Sequence, residues 1–231
     1  MILRKVIDSS VAMLGWLLSL RKCKTRDGEL VKVNLGCGLA LASGWINVDA
    51  SFNALFAGSS AWLIKIMYKI SGANRYYSAE EYVKILTENT FVFHDLSRSL
   101  PFDARTVDYF YSSHFFEHLF KRDAIRLINE CYEALKPGGV IRIAVPDLEY
   151  AVNQYRDGKK KEMLENYFFV DDLSSYLARH KYMYDFEIIF GILIEAGFRK
   201  VVKCGYQKGN TPDLDVLDNR PDETLFVEAV K

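Results

Sequence analysis

Two glycines and a carboxylate form the strongest chemical pattern in the chain. The β-rich run 31–35 leads directly into Gly36-Cys37-Gly38, and a second such run ends at Asp49. Glycine has no Cβ, so the backbone at this turn can approach a ligand closely. An acid at the end of the neighbouring strand is placed to accept hydrogen bonds from ribose hydroxyls. The pattern predicts a nucleoside-containing cofactor at the carboxyl edge of a sheet.

A third acid, Asp95, follows the next β-rich run. It is placed at the same edge, where it can accept a hydrogen bond from an adenine amino group. The alternative is a turn or a helix cap, because Ser97-Arg98-Ser99 comes directly after it. Three residues that flank these strand ends complete the predicted cofactor site: Ala50, Leu96 and Ser113.

Two histidines, His114 and His118, stand four residues apart with Glu117 between them. In a helix the two imidazoles would share one face. Three interpretations stay open: the H-x-x-E-H pattern of some metalloproteases, an imidazole that satisfies buried backbone groups, or a general base that titrates near neutral pH. We name both as candidate catalytic residues, with His114 first, and predict no metal ligands. His180 can enter the cleft from a helix, but a structural role is the simpler interpretation.

The composition excludes several classes of protein. Of the 231 residues, 30 are basic and 30 are acidic, and no stripe of Lys and Arg alternates with aromatic residues. This argues against a nucleic-acid partner. The cysteines are too widely spaced for a zinc site or a disulfide framework, which predicts a reducing, cytoplasmic location. They are Cys23, Cys37, Cys131 and Cys204.

These residues must be positioned by an alternation of strands and helices. The predicted fold is α/β: a Rossmann-like, seven-stranded, mostly parallel sheet with helices on both faces and an antiparallel last strand. Strands are predicted at 31–35, 45–48, 90–93, 107–111, 140–145, 200–204 and 225–230. Helices are predicted at 123–135 and 186–196, and the first of them is stopped by Lys136-Pro-Gly-Gly139.

Two segments lie outside this alternation. Residues 51–89 form a long helical insertion, with helices predicted at 54–70 and, after a capping box at Ser78, through Leu86. The insertion is either a lid over the cleft or an enlargement of the core. Residues 1–28 are predicted to form an amphipathic helix that docks on the domain or lies on the inner membrane surface. Residues 29–231 then form a single domain.

With these motifs the chain resembles the class I S-adenosylmethionine-dependent methyltransferases, in particular small methyltransferase-domain proteins associated with bacterial surface glycan synthesis. The resemblance covers roughly residues 31–231. It implies that 35–38 face the methionine part of the cofactor, that Asp49 binds the ribose and that Asp95 contacts the adenine. It also implies that 111–118 line the methyl-transfer cleft; the turn 135–139 and the tail 220–229 look like family features as well.

The resemblance implies S-adenosylmethionine as cofactor and an O-methylated sugar or glycoconjugate as product. Two alternatives remain: a catalytically silent binding or regulatory module, and a nicotinamide-dependent oxidoreductase. Leu41 stands where a third glycine often falls, and the link from Gly38 to Asp49 is too short for a full helix. Both features disfavour the oxidoreductase, because dinucleotide binding uses a helix N-terminus for its pyrophosphate.

Overall fold

The computed structural model describes residues 22–25, 28–168 and 179–231. Within these ranges the chain forms one seven-stranded sheet in the order β3-β2-β1-β4-β5-β7-β6. Neighbouring strands are parallel except that β7 runs antiparallel to both β5 and β6. The strands are β1 Lys32–Leu35, β2 Ile46–Asp49, β3 Thr90–Phe93, β4 Val107–Ser113, β5 Leu135–Pro146, β6 Lys200–Cys204 and β7 Thr224–Val230. The predicted fold class is confirmed.

Eight α-helices occur in the described ranges. They are α1 Phe52–Phe56, α2 Ala61–Ser71, α3 Ala79–Glu88, α4 Lys121–Ala134, α5 Leu148–Arg156, α6 Lys160–Met163, α7 Phe186–Glu195 and α8 Leu214–Leu217. Short 3₁₀ turns occupy Ala73–Arg75 and Phe116–His118, and a π turn occupies Leu164–Phe168. As the spacing predicted, the chain between β1 and β2 contains no helix in residues 36–45, all of which the structure describes.

Opposite faces of the sheet carry different helices because adjacent side chains of a strand point to opposite sides. Phe110 of β4 packs in the main core with buried residues of α4 and α7. Its neighbour Tyr111 packs on the other face with Trp45 and with Leu214 and Leu217 of α8. The predicted covering of both faces is therefore present, and the strand ends are held between two packed layers.

The insertion differs in detail from the prediction. The single helix expected at 54–70 is two helices, α1 and α2, because Gly58 adopts a φ of 72° and Ser59 and Ser60 follow it. The capping box is present: Ser78 Oγ accepts from Glu81 N, and Glu81 returns the bond to Ser78 N. Buried residues of α2 and α3 form a small apolar cluster of their own, which contacts Phe91 of β3.

A buried ionic network, which the sequence analysis did not anticipate, joins the last strands. Arg142 of β5 is fully buried and makes two hydrogen bonds to Asp218, at 3.0 and 2.6 Å. Glu228, its cross-strand partner in β7, lies 3.3 Å away. The same guanidinium donates to the backbone oxygens of Gly205 and Lys208. It therefore fixes the long connection between β6 and β7 against the sheet.

The predicted N-terminal helix falls almost wholly outside the described residues, so its docking or membrane contact stays a prediction. None of the helices in the described ranges is both long and apolar enough to cross a membrane.

Candidate active site

The glycine turn after β1 meets β2 through its backbone. Gly36 N donates to Val48 O at 2.8 Å, and Gly36 and Gly38 have φ of 65° and 51°. A Cβ on Gly36 would lie 2.1 Å from the ring of Phe115, so this glycine makes room for an aromatic side chain of the loop after β4. At Gly38 no described atom lies within 4 Å of the corresponding position. The open side of the turn is therefore above Gly38.

Asp49, at the end of β2, connects the turn to the following loop. One carboxylate oxygen accepts from Gly38 N at 2.9 Å, and the other accepts from Ser51 N at 2.6 Å. The side chain is partly exposed, as is its neighbour Ala50, so lone pairs of both oxygens remain for a ligand. Cys37 is buried; burial, with the nearby charge of Asp49, raises the pKa of its thiol. Its thiol is therefore protonated and unreactive.

Asp95 occupies the predicted position after β3 but is engaged in a turn. One of its oxygens accepts from Ser97 N and Ser97 Oγ, at 3.0 and 2.6 Å, and the other accepts from Arg98 Nε at 3.0 Å. The turn interpretation is thus realised, while the adenine contact stays a prediction. Leu96 is buried in the core, and its carbonyl oxygen accepts from Arg126 at 2.7 Å.

The segment after β4 does not form the helix in which His114 and His118 would share a face. His114 has a φ of 50°, and only Phe116–His118 form a short 3₁₀ turn. Glu117 nevertheless lies between the two imidazoles. Its Oε1 is 3.4 Å from His114 Nδ1 and 3.9 Å from His118 Nε2. The two histidines are brought together by this carboxylate and not by helical spacing.

The two imidazoles have different partners. His114 Nε2 lies 3.1 Å from Thr224 Oγ1 at the start of β7. His118 Nδ1 donates to Arg179 O at 3.2 Å, and its ring lies 5.1 Å from that of His180. Burial lowers the pKa of His118, and the opposing charge of Glu117 does not offset this. His118 is therefore neutral at physiological pH.

A polar cavity of about 230 Å³ adjoins these residues. Both His114 and His180 contribute to its wall, so it lies at the carboxyl edge of the sheet. A larger cavity of about 540 Å³ is lined by the loop before β4 and the end of α4, which places it at the opposite edge, away from the glycine turn. The walls of the smaller cavity are His114, Pro146, Asn166, Tyr167, His180, Arg220 and Glu223.

Solved structures share this architecture. An S-adenosylmethionine-dependent methyltransferase from Archaeoglobus fulgidus is 18% identical with a TM-score of 0.50, over 99% of this chain and 94% of that one. An S-adenosylmethionine-dependent methyltransferase from Mesorhizobium loti is 19% identical with a TM-score of 0.49, and the match covers 97% of this chain and 100% of that one. A possible exported protein from Bordetella parapertussis is 15% identical with a TM-score of 0.50, and the match covers 96% of this chain and 67% of that one. At these identities, the two structures with a TM-score of 0.50 show a similarity of fold alone.

Residues 33–143, just under half of the chain, match the family model of a methyltransferase domain. This segment carries a methyltransferase domain. No curated protein matches it in sequence. The match begins in β1 and ends in β5, so it includes the glycine turn, Asp49, Asp95 and the two candidate histidines.

Three features of the methyltransferase fit its cofactor. The space above Gly38 is open, Asp49 retains free lone pairs, and Ser113 Oγ is buried with no hydrogen-bond partner among the described residues. An unpaired buried hydroxyl at the end of β4 is expected where a ligand supplies the missing bond. We therefore expect Gly38, Asp49 and Ser113 to be the residues that would hold S-adenosylmethionine.

Sequence reasoning missed several residues of the cavity. Thr224 reaches His114 from β7, and Arg220 and Glu223 precede that strand. Tyr167 lies in the π turn and accepts through its backbone oxygen from His180 Nδ1, at 2.7 Å. Arg220, Glu223 and Thr224 belong to the tail that resembles the family, but nothing in that resemblance placed them beside His114; the tertiary structure does.

Proposed function

We propose that this methyltransferase transfers the methyl group to a hydroxyl oxygen of a sugar or glycoconjugate. The observation that carries the proposal is the polar cavity beside His114, with Arg220 and Glu223 in its wall. Charged and amide groups in a small concave site suit an acceptor that carries several hydroxyls. The resemblance to methyltransferases of glycan synthesis supports the same acceptor class.

S-adenosylmethionine, when bound, supplies an electrophilic methyl group. The chain must then hold an acceptor oxygen in line and remove its proton, and alignment alone provides much of the acceleration. The Thr224 hydroxyl, 3.1 Å from His114 Nε2, marks where a hydroxyl can meet this nitrogen. In our proposal an acceptor hydroxyl replaces Thr224 as the partner of this nitrogen, and the Thr224 side chain turns away.

The neighbouring carboxylate supports His114 as the base. Glu117 Oε1 lies 3.4 Å from His114 Nδ1. A carboxylate on this side favours the tautomer with the proton on Nδ1, which leaves the Nε2 lone pair available. The proton of the acceptor hydroxyl would then move to His114 Nε2 as the new carbon–oxygen bond forms and the methyl–sulfur bond breaks, with the demethylated thioether as the leaving group. His118 shares the same carboxylate but faces His180.

The test is methyl transfer from labelled S-adenosylmethionine to a panel of nucleotide sugars and lipid-linked saccharides, compared with amine and thiol acceptors. We expect transfer only to hydroxyls. With an active acceptor, His114→Gln should lower turnover by about 10² to 10⁴ and leave cofactor affinity unchanged. Glu223→Gln, which changes the cavity wall and not the base, should mainly raise KM.

Three outcomes would contradict the proposal. Exclusive transfer to nitrogen or sulfur would remove the hydroxyl acceptor. Full turnover in His114→Gln would remove the base. Tight cofactor binding without transfer to any member of a broad panel would favour the silent binding module instead.

A further inference from the structure

Three potential metal ligands converge at the end of β4. One donor atom each from Glu117, His118 and His180 lies within 4.8 Å of the other two. Glu117 and His118 belong to the 3₁₀ turn after β4, whereas His180 comes from a segment more than sixty residues later in the chain. The fold therefore assembles the cluster from two separate parts of the chain.

The carboxylate of Glu117 is unusual in its surroundings. Its side chain is 1% exposed, and neither of its oxygens has a hydrogen-bond partner among the described residues. Two ring nitrogens lie near it, His114 Nδ1 at 3.4 Å and His118 Nε2 at 3.9 Å from Oε1. A buried carboxylate without hydrogen bonds is costly unless a cation faces it.

Each of the two histidines has its Nδ1 next to a backbone carbonyl oxygen. His118 Nδ1 lies 3.2 Å from Arg179 O, and His180 Nδ1 lies 2.7 Å from Tyr167 O. A carbonyl oxygen only accepts, so Nδ1 carries the hydrogen in both rings and Nε2 carries the lone pair. A ring N–H donated to a backbone carbonyl is the usual support of a metal-bound histidine.

We propose that Glu117, His118 and His180 bind one divalent transition-metal ion through a carboxylate oxygen and two Nε2 atoms. Two imidazoles and one carboxylate suit Zn²⁺ or Fe²⁺ better than Mg²⁺ or Ca²⁺, which prefer oxygen ligands. Bonds of about 2.0 to 2.2 Å would draw the donor atoms closer together than they are in this structure. The partly exposed rings of His118 and His180 can make this movement.

Three protein ligands leave at least one coordination position open. His180 also lines the polar cavity, so an open position can face a water molecule or an oxygen of a bound molecule there. The site does not depend on which acceptor is methylated, and binding of the metal alone tests it.

The experiment uses the untagged chain after treatment with a chelator. Zn²⁺ is titrated by calorimetry, and Co²⁺ is titrated by its visible absorption, whose intensity reports nitrogen and oxygen coordination of low symmetry. We expect one ion per chain. Loss of a contact that supports a metal ligand weakens metal binding by about 10- to 100-fold. His180→Gln and Glu117→Gln each remove a ligand itself, so each should weaken binding by at least this factor.

Two matched controls separate the site from adventitious binding. Glu130→Gln removes a partly buried carboxylate that is paired with Arg126, and it should leave the affinity unchanged. The double variant Cys23→Ser and Cys204→Ser removes the two partly exposed thiols, and it should also leave the affinity unchanged. Circular dichroism checks that each variant is folded. If the Glu117→Gln variant does not fold, the affinity of the His180→Gln variant alone tests the metal site.

The proposal is overturned if the wild-type chain binds neither ion saturably. It is also overturned if a folded His180→Gln variant binds both ions with wild-type affinity. Loss of binding in the thiol variant would assign the metal to cysteine and would overturn it as well.

Discussion

Asp49 provides the most direct test of the cofactor site, because its carboxylate has two measurable tasks. It accepts hydrogen bonds from Gly38 N at 2.9 Å and Ser51 N at 2.6 Å, and we expect it to bind the ribose hydroxyls as well. Replacement by Ala removes the ligand contact and leaves two backbone amides without this acceptor. A hydrogen bond to a charged group contributes about 1.5 to 3 kcal/mol. Loss of the ribose contact should therefore weaken S-adenosylmethionine binding at least tenfold.

The stability of the variant distinguishes the two tasks. The amides of Gly38 and Ser51 can turn to water because the site is partly exposed, so the free energy of unfolding should fall by only about 1 to 2 kcal/mol. Calorimetry with S-adenosylmethionine and its demethylated product measures affinity, and urea unfolding measures stability. Asp103→Ala, whose side chain is 71% exposed and lies at the opposite edge of the sheet, is the control.

A folded Asp49→Ala variant that binds S-adenosylmethionine as tightly as the wild type would refute the ribose assignment. Binding of NAD in place of S-adenosylmethionine by the wild-type chain would go further. It would show that the glycine turn and the acid serve a dinucleotide, against the short link between Gly38 and Asp49.

Gly36→Ala should lower the free energy of unfolding by about 2 to 4 kcal/mol in urea, because the new side chain has a strained positive φ and clashes with Phe115. Gly38→Ala introduces the strain without a clash. Equal losses in the two variants would therefore disprove the clash. Arg142→Met should cost about 3 to 5 kcal/mol, because it leaves two buried carboxylates without their cation; a loss below 1 kcal/mol by the same measurement would contradict this. Burial lowers the pKa of His94 in the folded chain. In the unfolded chain this histidine has its ordinary pKa of about 6.5, so as the pH falls the unfolded chain binds the proton first. Thermal unfolding should therefore show stability falling between pH 7 and pH 5, with a smaller fall in His94→Gln, and an identical fall in that variant would exclude His94 as a source.

The strands were predictable because their signals are local. Each is a short run that contains β-branched or aromatic residues and lies next to a turn, a pattern typical of a strand whatever its partners are. Helix α4 was predictable for a similar reason, since its buried residues repeat along one face. Helix α5 was missed because only Ala151 of its nine residues is buried, so no apolar stripe marks it in the sequence.

The candidate site divides in the same way. The glycine turn and Asp49 are close in sequence and follow strands that pair in register, so their meeting follows from the predicted sheet alone. Thr224 reaches His114, and Arg220 reaches the cavity wall, because β7 lies between β5 and β6. The antiparallel direction of this last strand was predicted, but its place between β5 and β6 is set by tertiary packing and not by a local pattern.

The histidine pair shows the limit of a local spacing rule. Spacing of four residues would place both imidazoles on one face if the segment were helical, but His114 has a left-handed backbone and no α-helix forms there. The side chains still converge, because the 3₁₀ turn directs Glu117 inward between them. A buried carboxylate is stabilised by nearby positive charges and hydrogen-bond donors. In this chain those groups include His180, whose place in the cluster depends on chain segments that the spacing rule does not consider.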